Sequence, residues 1–395
     1  MGGLYHKSLD LCAFFRYHLF MLFFSVFGGM VNGGKNMETQ YESEVFRRPL
    51  RIGIAGLGRA GLLEHLPALR QLPELYTIAA VCDLMKERRD IVEREFPNVR
   101  TYRRIEDMLD DPEIDLVDIA LPTLDHAKTA LTALNRNIWT VVETPIAPSH
   151  DAATMLKATS LKARGKLLPY APGLFAPDFR LAQMALEDPR IGTVFDVRVR
   201  RQDYIRRDDW QCVKRCGGGC AWYDGPDALM QAVALMRTQP AQLWSELKRI
   251  ASLGDAEDCL HIVLKSRIEV TADVEICGAH LAPHEPSFML RGSLGSFTVN
   301  PGASEGTLRV ISPSFKFPRR RSSVRTPSLD DMHENLPVEE ITLRLPEGAV
   351  AGPTAYWRAV YATIRTAAPF PVSVDDAVEV IRYLQLAKQA SPFTK

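Results

Sequence analysis

Three glycines, Gly56, Gly58 and Gly61, stand in G-x-G-x-x-G spacing within LRIGIAGLGRAG, and Asp83 follows 22 residues after the last of them. These residue types in this order suit a dinucleotide. Gly56 makes a tight turn, Gly58 lets the backbone approach a pyrophosphate, and Gly61 lets the next helix pack against the strand. Leu57, Arg59 and Ala60 complete the cradle. The helix that begins there turns its partial positive charge towards the phosphates. A carboxylate at Asp83 can accept from both ribose hydroxyls and repels a 2′-phosphate, which favours NAD. Lys86, Arg88 and Arg89 beside it keep NADP as the alternative.

Other reactive side chains are spread along the chain. Glu143, Thr144 and Pro145 end an apolar run, VVETP, and the bond before Pro145 is a candidate cis peptide. LPTLDH contributes Leu121, Pro122, Thr123 and His126 at another run's end. Cys212, Cys216, Cys220 and Asp224 are spaced by four, as ligands on one helix face would be. Gly217, Gly218 and Gly219 interrupt any such helix and no second ligand cluster follows, so no metal is expected. The seven cysteines read as unrelated reduced thiols rather than a disulfide framework. Lys214 and Arg215 are either solvated charges or contacts for a substrate anion. Trp210 and Trp222 either line a pocket or pack.

The elements that must hold these residues alternate. Short apolar runs at 50–55, 76–83, 114–122, 138–143 and 166–172 read as strands, separated by helical segments such as RRDIVEREF and HAKTALTALNRN. This is the pattern of a doubly wound parallel sheet, whose ligands lie beyond the C-terminal strand ends. Further on, GTVFDVRVRRQDY reads as a strand, AEDCLHIVLKSRIEVTADVEIC as two, and FMLRGSLGSFTVN as a hairpin.

Composition sets outer limits. The 395 residues suggest two domains, and 48 basic against 48 acidic residues argue against a nucleic-acid partner. One basic cluster, Arg319, Arg320, Arg321 and Arg325, reads as a solvated loop. LFMLFFSVF, at 19–27, is too short to span a bilayer, so no stable membrane insertion is expected. Residues 1–45 are read as a leader or a mis-called start. A cytoplasmic location is expected, with export the alternative if 1–36 is a genuine signal sequence.

The ordered blocks GIAGLGRAG, VCDLMKER, IDLVDIALPTLDHAKTALTAL, VVETPIAPS, RGSLGSFTV and PVSVDDAVEVIRYLQLAKQAS resemble the Gfo/Idh/MocA family, the relatives of glucose–fructose oxidoreductase and inositol dehydrogenase. The likeness runs from about residue 50 to 391. It implies an NAD(P)-binding Rossmann domain over 46–170. It also implies an α+β substrate and oligomerisation domain over 171–395, built on an open, mostly antiparallel sheet. Helix 374–390 is expected to pack back on the first domain. The resemblance further implies a small-molecule substrate, a homo-oligomer formed through the second sheet's outer face, and a cofactor site that includes Leu121, Pro122, Thr123, His126, Glu143, Thr144 and Pro145. His126 is read as structural support near the cofactor.

The chain departs from the family where the proton is handled. Family dehydrogenases carry Glu-Lys-Pro where this chain has Glu143-Thr144-Pro145. They also carry an Asp and a His on the helix after the glycine run, where it has Tyr223 and Asp227; a later helix aspartate becomes Met230. Oxidising a secondary alcohol sends a hydride to the nicotinamide and a proton to a side chain. Threonine hardly ionises, and an ordinary carboxylate near pKa 4 is a weak base for this task. Tyr223 could serve only with its pKa depressed. The candidate pocket is thus Trp210, Lys214, Tyr223, Thr144 and Asp227. Three readings stay open: an oxidoreductase with altered proton transfer, hydride transfer to a conjugated acceptor as in bilin reductases, or a silent nucleotide-binding regulatory or scaffold protein.

Overall fold

The structure, a computed structural model, describes residues 48–319, 324, 326, 335–391 and 393. The leader expected over 1–45, and Arg320, Arg321 and Arg325 of the basic cluster, lie outside the described residues.

Six strands build the first sheet: β1 (Leu50–Ala55), β2 (Tyr76–Cys82), β3 (Arg100–Tyr102), β4 (Leu116–Ile119), β5 (Trp139–Glu143) and β6 (Leu167–Tyr170). All pair in parallel, in the order β3-β2-β1-β4-β5-β6. Every residue of β4 and β6 is buried, as continuous apolar strands covered on both faces must be. The order reverses between β1 and β4, the place at the strands' C-terminal ends where such sheets bind their ligands. Helix α1 (Leu66–Arg70) follows β1, α2 (Lys86–Glu95) and α3 (Ile105–Leu109) flank β3, and α4 (Thr123–Asn135) and α5 (His150–Lys162) follow β4 and β5.

The second sheet has eight strands: β7 (Val194–Gln202), β8 (Pro240–Lys248), β9 (Cys259–Ser266), β10 (Thr271–Cys277), β11 (Phe288–Gly292), β12 (Gly295–Val299), β13 (Glu305–Ile311) and β14 (Val338–Arg344). Their order is β14-β13-β12-β11-β7-β10-β9-β8, antiparallel except where β7 meets β10. Burial alternates along β9 and β10, so one face is core and the other half-exposed. Helices α6 (Pro177–Glu187) and α7 (Gly225–Met236) cover the buried face.

The chain then returns to the first sheet. On α8 (Gly352–Thr366), Trp357 accepts a 2.6 Å hydrogen bond at its carbonyl from Tyr76 Oη, and Tyr356 Oη donates to the Pro169 carbonyl at 3.0 Å. Both aromatic side chains are fully buried, so the first core is completed by residues from the far end of the sequence. On α9 (Val374–Ala390), Gln385 accepts from the His150 amide at 2.9 Å, while the Ala387 carbonyl accepts from Ser245 Oγ at 2.8 Å. The helix expected over 374–390 therefore bridges α5 and β8. Among the described residues, no helix is long and apolar enough to cross a membrane.

Candidate active site

The glycine turn has the shape the spacing requires. Gly56 has φ +97°, and a Cβ on it would lie 2.4 Å from the Ala120 carbonyl oxygen. A Cβ on Gly61 would lie 2.1 Å from the Gly56 oxygen, whereas one on Gly58 would meet nothing within 4 Å. Two glycines thus serve the protein's own packing, and the middle one faces open space. That cradle fits a pyrophosphate. Leu57 is buried beneath it, Arg59 is exposed and Ala60 half-buried.

Asp83 closes the turn from the β2 end. Its Oδ2 accepts the Leu57 amide at 2.9 Å and its Oδ1 the Met85 amide at 2.8 Å, with Arg88 at 3.5 Å. The carboxylate therefore holds the glycine loop from the end of β2. His126 ties two further strand-end loops together, its ring nitrogens 2.8 Å from the Pro145 oxygen and 2.6 Å from that of Leu121. Pro122 and Thr123 begin α4 beside it. The Thr144–Pro145 peptide is cis.

Beneath this turn lies a group that the sequence reading missed. The helical turn Gly61–His65 is π-type: the Leu66 amide reaches back to the Gly61 oxygen. Pro67 has no N–H to continue regular α pairing, and such widened turns often mark functional segments. His65, at its end, is fully buried. Nδ1 lies 2.7 Å from Asp118 Oδ2 and Nε2 2.8 Å from Glu143 Oε1, and the ring stacks on Tyr170 with centroids 3.9 Å apart. Burial opposes the imidazolium, but the two carboxylates outweigh it and hold His65 up to about 10. Burial raises Asp118 despite its histidine partner. A lone histidine in LLEHLPAL and a lone aspartate in the apolar strand LVDI were the available signals.

The substituted family positions meet across the loop after β6. Thr144 Oγ1 donates to the Tyr170 carbonyl at 3.1 Å, so its proton is already committed. Asp227, in the first turn of α7, accepts the Gly173 amide on Oδ2 at 3.2 Å, while its Oδ1 is inaccessible and without a partner. Gln231 Nε2 donates to the Gly173 carbonyl at 2.6 Å, and Arg201 donates to Gln231 Oε1. Burial pushes Asp227 up to about 7, and the Glu143 carboxylate adds to the shift; Arg201 and the Gly173 amide pull the other way.

Tyr223, which would need a depressed pKa to serve, is shifted the other way. Burial pushes its hydroxyl further above its ordinary range, with Cys220 and Asp224 adding, and the Arg207 guanidinium 4.6 Å over the ring does not reverse this. It is a poor proton donor. The Lys214 ammonium lies 4.0 Å over the Phe393 ring, a cation–π contact. Trp210 sits half-buried in a short turn, Trp210–Cys212, against Gly218. Cys212, Cys216 and Cys220 fall in three separate short turns, and among the described residues no three potential ligands converge on a metal site.

These side chains are therefore acidic in character: Glu143 with its buried imidazolium, Asp227 titrating near neutrality, and Asp224, which burial raises while Arg201 and Arg207 oppose.

Residues 50–170 match the model of the oxidoreductase family with an NAD-binding Rossmann fold, and residues 179–298 match that of the Gfo/Idh/MocA C-terminal domain. The chain is 28% identical over 258 residues to an uncharacterised oxidoreductase of Schizosaccharomyces pombe, covering 63% of this chain and 70% of that protein. It is 22% identical over 359 residues to scyllo-inositol 2-dehydrogenase (NADP(+)) of Bacillus subtilis, covering 87% and 94%. Among solved structures, aldose-aldose oxidoreductase from Caulobacter crescentus complexed with glycerol superposes with a TM-score of 0.70 at 18% identity, over 87% of this chain and 97% of that one. An oxidoreductase from Agrobacterium radiobacter in complex with NAD+, L-tartaric acid and magnesium does so with 0.70 at 18%, over 87% and 96%. With both halves of the fold matched in order, the chain belongs to the Gfo/Idh/MocA oxidoreductase family and carries its NAD-binding Rossmann domain.

Proposed function

We propose that this protein is a nicotinamide-dependent oxidoreductase of a small molecule in which Asp227 replaces the missing lysine and histidine as the proton-handling group. The supporting observation is the Asp227 carboxyl itself. One oxygen is pinned by the Gly173 amide, the other is buried and unpartnered, and the group is pushed up to about 7. A base poised at the working pH is what alcohol oxidation needs. When bound, the nicotinamide supplies or accepts the hydride. The chain's residues do the rest: Gly56–Gly61 cradle the phosphates, the cis Thr144–Pro145 turn shapes the floor, and Asp227 takes the hydroxyl proton in oxidation or gives one back in reduction.

NAD is the preferred cofactor in this reading, because Asp83 is anchored at the β2 end where a 2′-phosphate would meet its charge. The relative from Bacillus subtilis is an NADP(+) enzyme. Assembly as a homo-oligomer through the outer face of the second sheet is part of the proposal; Phe195 and Trp244 there are 48% and 53% exposed.

The test is NADH and NADPH binding by fluorescence, followed by cofactor turnover against polyols, aldoses, imines and bilins. Turnover lost in Asp227→Asn with binding kept supports the assignment. Binding without any turnover across the panel favours a regulatory nucleotide-binding protein instead. No binding of either coenzyme refutes both.

A further inference from the structure

Cys259 opens β9 and Cys277 closes β10, and the antiparallel register places them directly opposite each other. The next pair along, Asp258 and Gly278, is hydrogen bonded: the Gly278 amide donates to the Asp258 carbonyl at 2.7 Å. Hydrogen-bonded and non-hydrogen-bonded pairs alternate, so Cys259 and Cys277 occupy a non-hydrogen-bonded pair, where side chains approach most closely and Cα atoms are about 4.5 Å apart. A disulfide tolerates Cα separations of about 4.4–6.8 Å. The two sulfurs are 3.6 Å apart, both thiols are free, and both are half-buried on the sheet's outer face. Lys248 on β8 is the register partner of Cys259 on its other side.

We propose that Cys259 and Cys277 form a modification site, converted to an intramolecular disulfide by an oxidant of the hydroperoxide class. Either thiol can meet the oxidant, and the other, its sulfur 3.6 Å away, closes the bridge. The first thiolate attacks the peroxide, the O–O bond breaks, and sulfenic acid and hydroxide (or alkoxide) result. The second sulfur then displaces the sulfenic oxygen as water. Two thiols lose two protons and two electrons, and the hydroperoxide is reduced to water and an alcohol, or to two waters.

The bridge lies next in sequence to residues that touch the Gly217–Gly219 run. Cys259 follows Glu257 and Asp258; the Glu257 carbonyl accepts the Cys220 amide at 2.9 Å, and a Cβ on Gly219 would lie 2.2 Å from Glu257 Oε1. Asp258 accepts the amides of Ile250 and Ala251 at 2.7 and 2.6 Å. Closing the disulfide therefore pins the strand end on which the Gly217–Gly219 run rests.

The experiment treats the full chain with hydrogen peroxide and maps peptides under non-reducing conditions, with thiol titration in parallel. The expected result is a Cys259–Cys277 cross-linked peptide, reversible by dithiothreitol, with titratable thiols falling by two from seven. In Cys259→Ser the reaction should stop at a sulfenic acid on Cys277, trapped by dimedone. Hydrogen exchange of residues 249–258 should slow in the oxidised form. Independent over-oxidation of the two cysteines without a link, or both surviving peroxide that oxidises free cysteine, overturns the proposal. The wild-type map decides the matter even if a variant fails to fold.

Discussion

Replacing Asp227 by asparagine tests the pocket's chemistry through stability, with no substrate required. Burial first, and then Glu143, raise this carboxyl from 3.8 to about 7. At ~1.4 kcal/mol per unit, that is roughly 4 kcal/mol of differential free energy as an upper bound. The sign follows from which state holds the proton. Below pH ~4 both folded and unfolded chains are protonated here, and the group costs nothing. Between about 4 and 7 the unfolded chain releases its proton while the folded one keeps it, so stability falls as pH rises; above 7 the full cost is present. The asparagine side chain in Asp227→Asn has no charge to bury and can still accept from Gly173 through its carbonyl oxygen. The variant should therefore match wild type near pH 3 and exceed it increasingly up to pH 8, by as much as about 4 kcal/mol. Urea denaturation across that range measures the difference. A gap of constant size, or one largest in acid, would refute the claim that Asp227 titrates near neutrality.

Three further outcomes are expected. Gly58→Val leaves the fold intact, since a Cβ there meets nothing within 4 Å, but weakens NADH binding by at least ~10-fold in fluorescence titration; unchanged affinity would place the nucleotide elsewhere. Asp83→Ser shifts the NADPH-to-NADH affinity ratio upwards by about 10-fold and, by freeing the Leu57 and Met85 amides, costs about 1–3 kcal/mol in denaturation; an unmoved ratio would remove Asp83 from ribose recognition. His65→Leu strands Asp118 and Glu143 without their shared cation and costs about 3–5 kcal/mol at pH 7; a loss below ~1 kcal/mol in the same assay would contradict a charged, buried imidazole.

Five of the first sheet's six strands were legible in sequence because they are apolar runs punctuated by glycine and charge, a local pattern that survives folding unchanged; β3, the short polar Arg100–Tyr102, was not. β9, β10 and the β11–β12 hairpin were legible for a similar reason, since one face is buried and the residues alternate. β14 was not read, because Val338–Arg344 is an edge strand with no buried residue and its polar VEEITLR carries no burial signal. In the site, residue identities could be read but not their proton affinities. Asp227 looks like any aspartate in GPDALM until Gly173 closes over it and Glu143 arrives from another strand. Tyr223 moves the other way for the same reason: its burial comes from tertiary packing. His65 sits among leucines, and only the parallel pairing of β1 with β4 and of β4 with β5 brings Asp118 and Glu143 to its two nitrogens.

The return of α8 to the first sheet bears on how this protein is made. Tyr76 finds its hydrogen-bond acceptor at Trp357, 281 residues later in the chain. A ribosome thus releases the nucleotide-binding half with an apolar surface that stays uncovered until nearly the whole polypeptide has emerged. Contacts of such wide sequence separation form late. Shortened versions ending before Gly352 should consequently depend on chaperones or aggregate, and the two halves should melt together rather than in sequence.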